Sequence, residues 1–149
     1  MLRGIRPDLR ADVVTIDLTD VATDIRKVSG VVKLTGDANS GTIIEQTCEH
    51  FGNDPIDLLF IDADHRYAPT VAIFLIYTNL LKPCYAVLDD INLNHGMSGA
   101  WKRICRLFPG CAVNAAKIVP SVRPAEPVRE GPDEPEKWSD PGIGIVRCR

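Results

Sequence analysis

A chain of 149 residues with 45% hydrophobic and 25% charged residues has the composition of one soluble globular domain. A net charge of -3 with scattered basic residues excludes a nucleic-acid surface as the main partner, because phosphate binding calls for clustered Lys and Arg. No apolar run approaches the ~20 residues that cross a bilayer, and the opening MLRGIRPDLRAD lacks the apolar middle of a secretory signal, so a cytoplasmic location without a membrane partner is expected.

The first strand expected is Asp12 to Asp17 (DVVTID) and the second Gly30 to Asp37 (GVVKLTGD), with room between them for little more than two helical turns. SGTIIEQTCEHFG then sets Ile43, Ile44, Thr47, Cys48 and Phe51 at helical spacing, with Gly52 as its stop. IDLLFID, from Ile56 to Asp62, is apolar on both faces, which is the pattern of a central strand in a parallel sheet. APTVAIFLIYTNLLKP follows. Its β-branched content suits a strand, but its length predicts a helix, with Pro69 near the first turn and Pro83 beyond the end.

YAVLDDI is the next central strand, and NLNHGMSG, with His95, reads as a loop able to cover a substrate. GAWKRICRLFPG places Trp101, Ile104, Cys105 and Phe108 on one helical face before a Pro109-Gly110 stop. CAVNAAKIV and GIGIVRCR complete the strands, and the segment over 120–142 between them is a Pro- and acid-rich solvated loop. Cys48, Cys84, Cys105, Cys111 and Cys148 are odd in number and form no C-x-x-C pair, so they are read as reduced packing thiols.

Alternation of strand and helix predicts a Rossmann-like α/β sheet with helices on both faces, mostly parallel with an antiparallel last strand. Such sheets bind ligands beyond the carboxyl ends of their strands. Here those ends carry Asp17, Asp37, the Asp62/Asp64 pair with His65, and the Asp89/Asp90 pair. An ionised carboxylate is costly to bury unless it is paired, hydrogen-bonded or bound to a metal. Acids gathered at one sheet edge accept from ribose hydroxyls or hold a hard cation.

IDLLFIDADHRYAPTVAIFLIYTNLLKPCYAVLDDI also resembles the central portion of class I S-adenosylmethionine-dependent methyltransferases, most of all the metal-dependent O-methyltransferases that act on small molecules. That family pairs an Asp-x-Asp-His or Asp-x-Asp-Lys strand tip with a helix, LLKPGG, and a strand ending in two acids; Cys84-Tyr85 replaces the usual Gly-Gly here. The resemblance implies that Asp17 accepts from the cofactor's ribose and that Asp37 and Ala38 face its adenine. It also implies that Asp62, Asp89 and Asp90 ligate Mg2+ or a similar divalent cation, with Asp62 beside the cofactor as well. His65 falls where the family carries a catalytic base. A small-molecule hydroxyl is the acceptor it implies, and a homodimer is an assembly common in such families.

Each position also has a local reading: Asp17 as a cap, Asp37 as a turn former, Asp64 as the N-cap of the Pro69 helix, His65 as a surface histidine. The Asp-x-Asp run also suits a haloacid-dehalogenase-like phosphatase, although Arg66 stands where that motif wants Thr or Val, or a glycosyltransferase metal site. A scaffold that binds without turnover is the non-enzymatic alternative. The family's first strand and Gly-rich cofactor turn have no counterpart before Asp17, so the expectation is a single domain over 1–149 that is N-terminally incomplete.

Overall fold

The structure, a computed structural model, describes residues 11–19, 30–115 and 142–149. The loop expected over 120–142 lies outside them except for Gly142, as does the stretch expected to hold two helical turns between the first strands. The fold is α/β, and the chain divides into two compact units, Met1–Gly52 and Asn53–Arg149. Among the described residues no helix is long and apolar enough to cross a membrane.

In the first unit β1 (Val13–Asp17) and β2 (Val31–Thr35) pair in parallel, from Val13 opposite Val31 to Asp17 opposite Thr35. The ladder is closed at both ends by Val13 N–H donating to Gly30 O and Gly36 N–H to Asp17 O. Gly30 is required there: its φ is +88°, and a Cβ would stand 2.7 Å from Ala11 O. Helix α1 (Gly41–Phe51) starts at Ser40, whose side chain accepts from Ile43 N–H, and stops at Gly52. It buries Ile43 and Thr47, with the Ile43 side chain against Gly36.

The second unit is a four-stranded sheet in the order β3-β4-β6-β5. β3 (Leu58–Ile61) and β4 (Tyr85–Leu88) are parallel, and β6 (Gly144–Arg147) runs antiparallel to both β4 and β5 (Ala112–Asn114). Side chains alternate across a sheet, so Ile61, Ala86, Leu88, Gly144 and Val146 share one face. Helices α2 (Tyr67–Leu81) and α3 (His95–Leu107) supply the rest of that core through Ile73, Phe74, Tyr77, Leu81, Met97, Ala100 and Ile104, all buried. Phe74 meets Phe108 edge-on at 5.4 Å between ring centres. At Gly144 a Cβ would stand 2.5 Å from the Trp101 ring, so the missing side chain is what lets the indole lie on β6.

Length decides α2, as expected, against its β-branched composition. Thr70 and Thr78 also turn their hydroxyls onto the carbonyls of Arg66 and Phe74, four residues back, which satisfies those groups within the helix. Lys82, in the left-handed region at φ 47°, ends it before Pro83.

Two expectations change. IDLLFID reads as a central strand, yet among the described residues β3 is the edge of its sheet, with Leu58 57% and Phe60 56% exposed. Among the described residues of this unit, helical cover reaches the Ile61 face alone. The loop expected around His95 is instead the first turn of α3, because Asn94 accepts from Met97 N–H and starts the helix four residues before Gly99.

Candidate active site

The parallel pairing of β3 with β4 brings their carboxyl ends side by side, which sets Asp62 next to Asp89 and Asp90. Asp89 N–H still donates to Ile61 O, so the ladder runs up to the first acid. The backbone then reverses: Asp90 is left-handed at φ 55°, a conformation that Asp tolerates better than most residues. Ile91, fully buried, donates its N–H to Gly142 O and anchors the far side of the turn.

This reversal aims Asp90 at His65, with Asp90 Oδ2 3.1 Å and Asp62 Oδ1 3.6 Å from His65 Nε2. One donor atom from each of Asp62, His65 and Asp90 lies within 4.8 Å of the others. Asp89 does not join them; its Oδ1 accepts from Asp90 N–H at 2.9 Å and so braces the turn. Nε2 of His65 is buried and has no hydrogen bond of good direction despite the two carboxylates beside it. An imidazole lone pair facing carboxylate oxygens is repulsive, so either the N–H hydrogen of the Nε2 tautomer or a cation belongs between these atoms. Two carboxylates and a neutral imidazole are a fit donor set for a divalent metal.

His65 is held from behind. Asn94 Nδ2 donates to His65 O at 3.1 Å while Asn94 Oδ1 caps α3. A Cβ on Gly96 would stand 3.1 Å from Tyr67 N and 3.3 Å from His65 O, so glycine permits this close approach. Sequence reasoning passed over both residues; an Asn at the head of the run in which Met97, Ala100 and Ile104 recur at helical spacing is the signal that marks such a cap. Replacing Asn94 by Asp keeps the capping oxygen and removes the donor to His65. Asn94→Asp should therefore leave helix content unchanged by circular dichroism and alter the His65 imidazole resonance in NMR. Asn94→Ala should also lose about 1 kcal/mol of stability in urea unfolding.

Asp64 is not the N-cap of α2. That position falls to Arg66, which caps nothing with its side chain, and Asp64 instead accepts from Arg66 N–H and pairs with its guanidinium. Hydrogen bonds from Arg66 hold the Asp64 carboxyl below the usual carboxylate range. Asp64 is thus engaged by Arg66, and of the two acids in this motif Asp62 is the one among the clustered donors. His95 is exposed at the start of α3.

In the first unit Asp17 and Asp37 stand at the carboxyl ends of β1 and β2, joined through the Gly36-to-Asp17 backbone bond. Asp17 Oδ1 accepts from Thr19 N–H and its hydroxyl, and Asp37 Oδ1 accepts from Asn39 N–H. Both acids are exposed, and their Oδ2 atoms take no hydrogen bond from the described residues. Ala38 sits in the turn that Ser40 N–H closes onto Asp37 O.

Residues 1–91 match the family model described as a methyltransferase domain. The chain belongs to that family. It is accordingly a methyltransferase of the class I S-adenosylmethionine-dependent type, and the matched span contains Asp17, Asp37, Ala38, Asp62, His65, Asp89 and Asp90. Neither curated proteins nor solved structures gave a significant match to the chain.

Proposed function

We propose that this methyltransferase domain moves the methyl group of S-adenosylmethionine to a hydroxyl of a small molecule, assisted by a divalent cation held by Asp62, His65 and Asp90. The reading rests above all on the convergence of those three side chains where the carboxyl ends of two parallel strands meet. Asp17 accepts from the ribose hydroxyls, Asp37 from the exocyclic amine of adenine, and the backbone at Ala38 lies along the ring. The Oδ2 atoms of Asp17 and Asp37, which take no hydrogen bond from the described residues, support this assignment.

Methyl transfer is an in-line displacement: the bond from carbon to sulfur breaks as the bond from carbon to the acceptor oxygen forms, and the hydroxyl proton must leave. Holding the acceptor in line with the methyl carbon is the main contribution of the chain. When bound, a cation lowers the pKa of a hydroxyl that reaches it. His65 then has one of two parts, a ligand through Nε2 or a base that takes the proton. Its short approach to Asp90 favours the ligand. An imidazole in the set also favours Mn2+ over the Mg2+ that an all-oxygen set would select.

Calorimetric titration with S-adenosylmethionine, with and without Mn2+, tests the assignment. Asp17→Ala should weaken cofactor binding by roughly tenfold, the loss of a charge-assisted hydrogen bond. Wild-type protein that takes up neither cofactor nor cation would refute it.

A further inference from the structure

Pairing of β4 with β6 runs one step past the strands themselves. Tyr85 stands opposite Arg147 in the antiparallel ladder, and Cys148 N–H donates to Cys84 O at 2.9 Å, so Cys84, just before β4, and Cys148, just after β6, are directly opposed. A hydrogen-bonded antiparallel pair holds its Cα atoms about 5.5 Å apart, inside the roughly 4.4–6.8 Å that a disulfide spans. Alternation carries both cysteines onto the Ala86/Val146 side of the sheet, and Cys148 accordingly lines a cavity with Leu75, Thr78 and Asn79 of α2. Cys111 stands opposite Arg147 instead, one step out of register with Cys148. Both Cys84 and Cys148 are free, half-buried thiols. We propose that they join in a reversible disulfide when a peroxide oxidises the protein, a covalent staple between the amino end of β4 and the carboxyl end of β6.

The pair has room to close. Cys84 N–H is turned away from β6 and donates to Ile56 O, so one ladder bond and not two ties the cysteines, and both lie beyond the regular strands. Arg149 Nη2 approaches the Cys84 sulfur at 2.8 Å, which sets a positive charge beside it, whereas burial pushes the Cys148 thiol up. Cys84 therefore reacts first.

Its thiolate attacks one oxygen of the peroxide; the O–O bond breaks and hydroxide leaves, taking up a proton as water, so that Cys84 becomes a sulfenic acid. Cys148 then attacks that sulfur. The S–S bond forms as the S–O bond breaks, and a second water leaves with the Cys148 proton. Two thiols have lost two electrons and two protons, and hydrogen peroxide has been reduced to two waters; a thiol reductant reverses the result by exchange. The bridge lies at the other end of β4 from Asp62, His65 and Asp90. It closes a loop that holds α3 and β5, which restricts the unfolded chain and so makes the oxidised form harder to unfold.

Thiol chemistry on the full chain tests this. A few equivalents of hydrogen peroxide should lower the thiols that react in denaturant from five by two per chain, and a digest made after alkylation should show by mass spectrometry Cys84 joined to Cys148 of the same chain. The urea midpoint should rise on oxidation and return with dithiothreitol. Cys148→Ser should lose the bridge and leave a sulfenic acid on Cys84 that dimedone traps, whereas Cys111→Ser should form the bridge as the wild type does. A thiol count that stays at five, or a bridge that joins Cys148 to Cys111 or to another chain, would overturn the proposal.

Discussion

Asp90→Asn should lower Mn2+ affinity by roughly a hundredfold or more, while Asp89→Asn changes it by no more than about threefold. The two acids are neighbours in sequence and were equivalent candidates for the cation, but they do different things. Asp90 Oδ2 faces His65 Nε2 at 3.1 Å, whereas Asp89 Oδ1 is already engaged by Asp90 N–H. Asn is the informative replacement at Asp90 because the residue is left-handed; Asn tolerates that conformation, and Ala would add backbone strain to the loss of charge. At Asp89, Asn keeps the oxygen that braces the turn. Metal titration followed by thermal unfolding separates the effects: a cation that binds the native state raises its stability, and Asp90→Asn should erase that rise. Equal metal affinity for Asp90→Asn and wild type would exclude Asp90 as a ligand.

How far these assignments were readable from residues alone follows from what each depends on. Strand and helix positions depend on periodicity, which is local, so VVTID, VVKLT, YAVL and the α1 and α2 segments stand close to where the pattern puts them. The polar tip of β3 was legible for the same reason: an apolar run ending in Asp62 and His65 sets polar groups where burial stops. Which acids meet was not legible, because that depends on the backbone reversal at Asp90, and both signs of φ are open to an Asp in sequence. Asp64 looked like a cap by its spacing from Pro69, but the guanidinium two residues on competes for it. Likewise, the open face of β3 was invisible in IDLLFID, since apolarity on both faces records what a strand is able to bury and not what covers it. Asn94 was hidden by its surroundings. In a run of Asn and Gly a cap and a loop are alike until the helix after it is known.

Phe74→Ala should destabilise the protein by about 3–5 kcal/mol, the range for deleting a fully enclosed ring. Phe74 has no exposed surface and lies in the middle of α2, with its ring edge-on to Phe108 just beyond α3. It therefore joins the two helices that enclose the same sheet face. The core it leaves a hole in is made of enclosed residues such as Ile104 and Leu88, and close-packed interiors have little freedom to collapse inward. With total stabilities of about 5–15 kcal/mol for domains of ordinary size, such a loss leaves a large unfolded fraction in mild urea. Phe74→Leu retains most of the volume and should cost roughly 1–1.5 kcal/mol. Its value lies in the comparison with Asp90→Asn. α2 begins two residues after His65, yet Phe74 is two turns further along the helix and is not one of the clustered donors. Chemical unfolding with a metal titration on the folded fraction should thus show Phe74→Leu losing stability at unchanged Mn2+ affinity, the reverse of Asp90→Asn. If both properties fell together in Phe74→Leu, the cation site would depend on core packing and not on the turn at Asp90 alone.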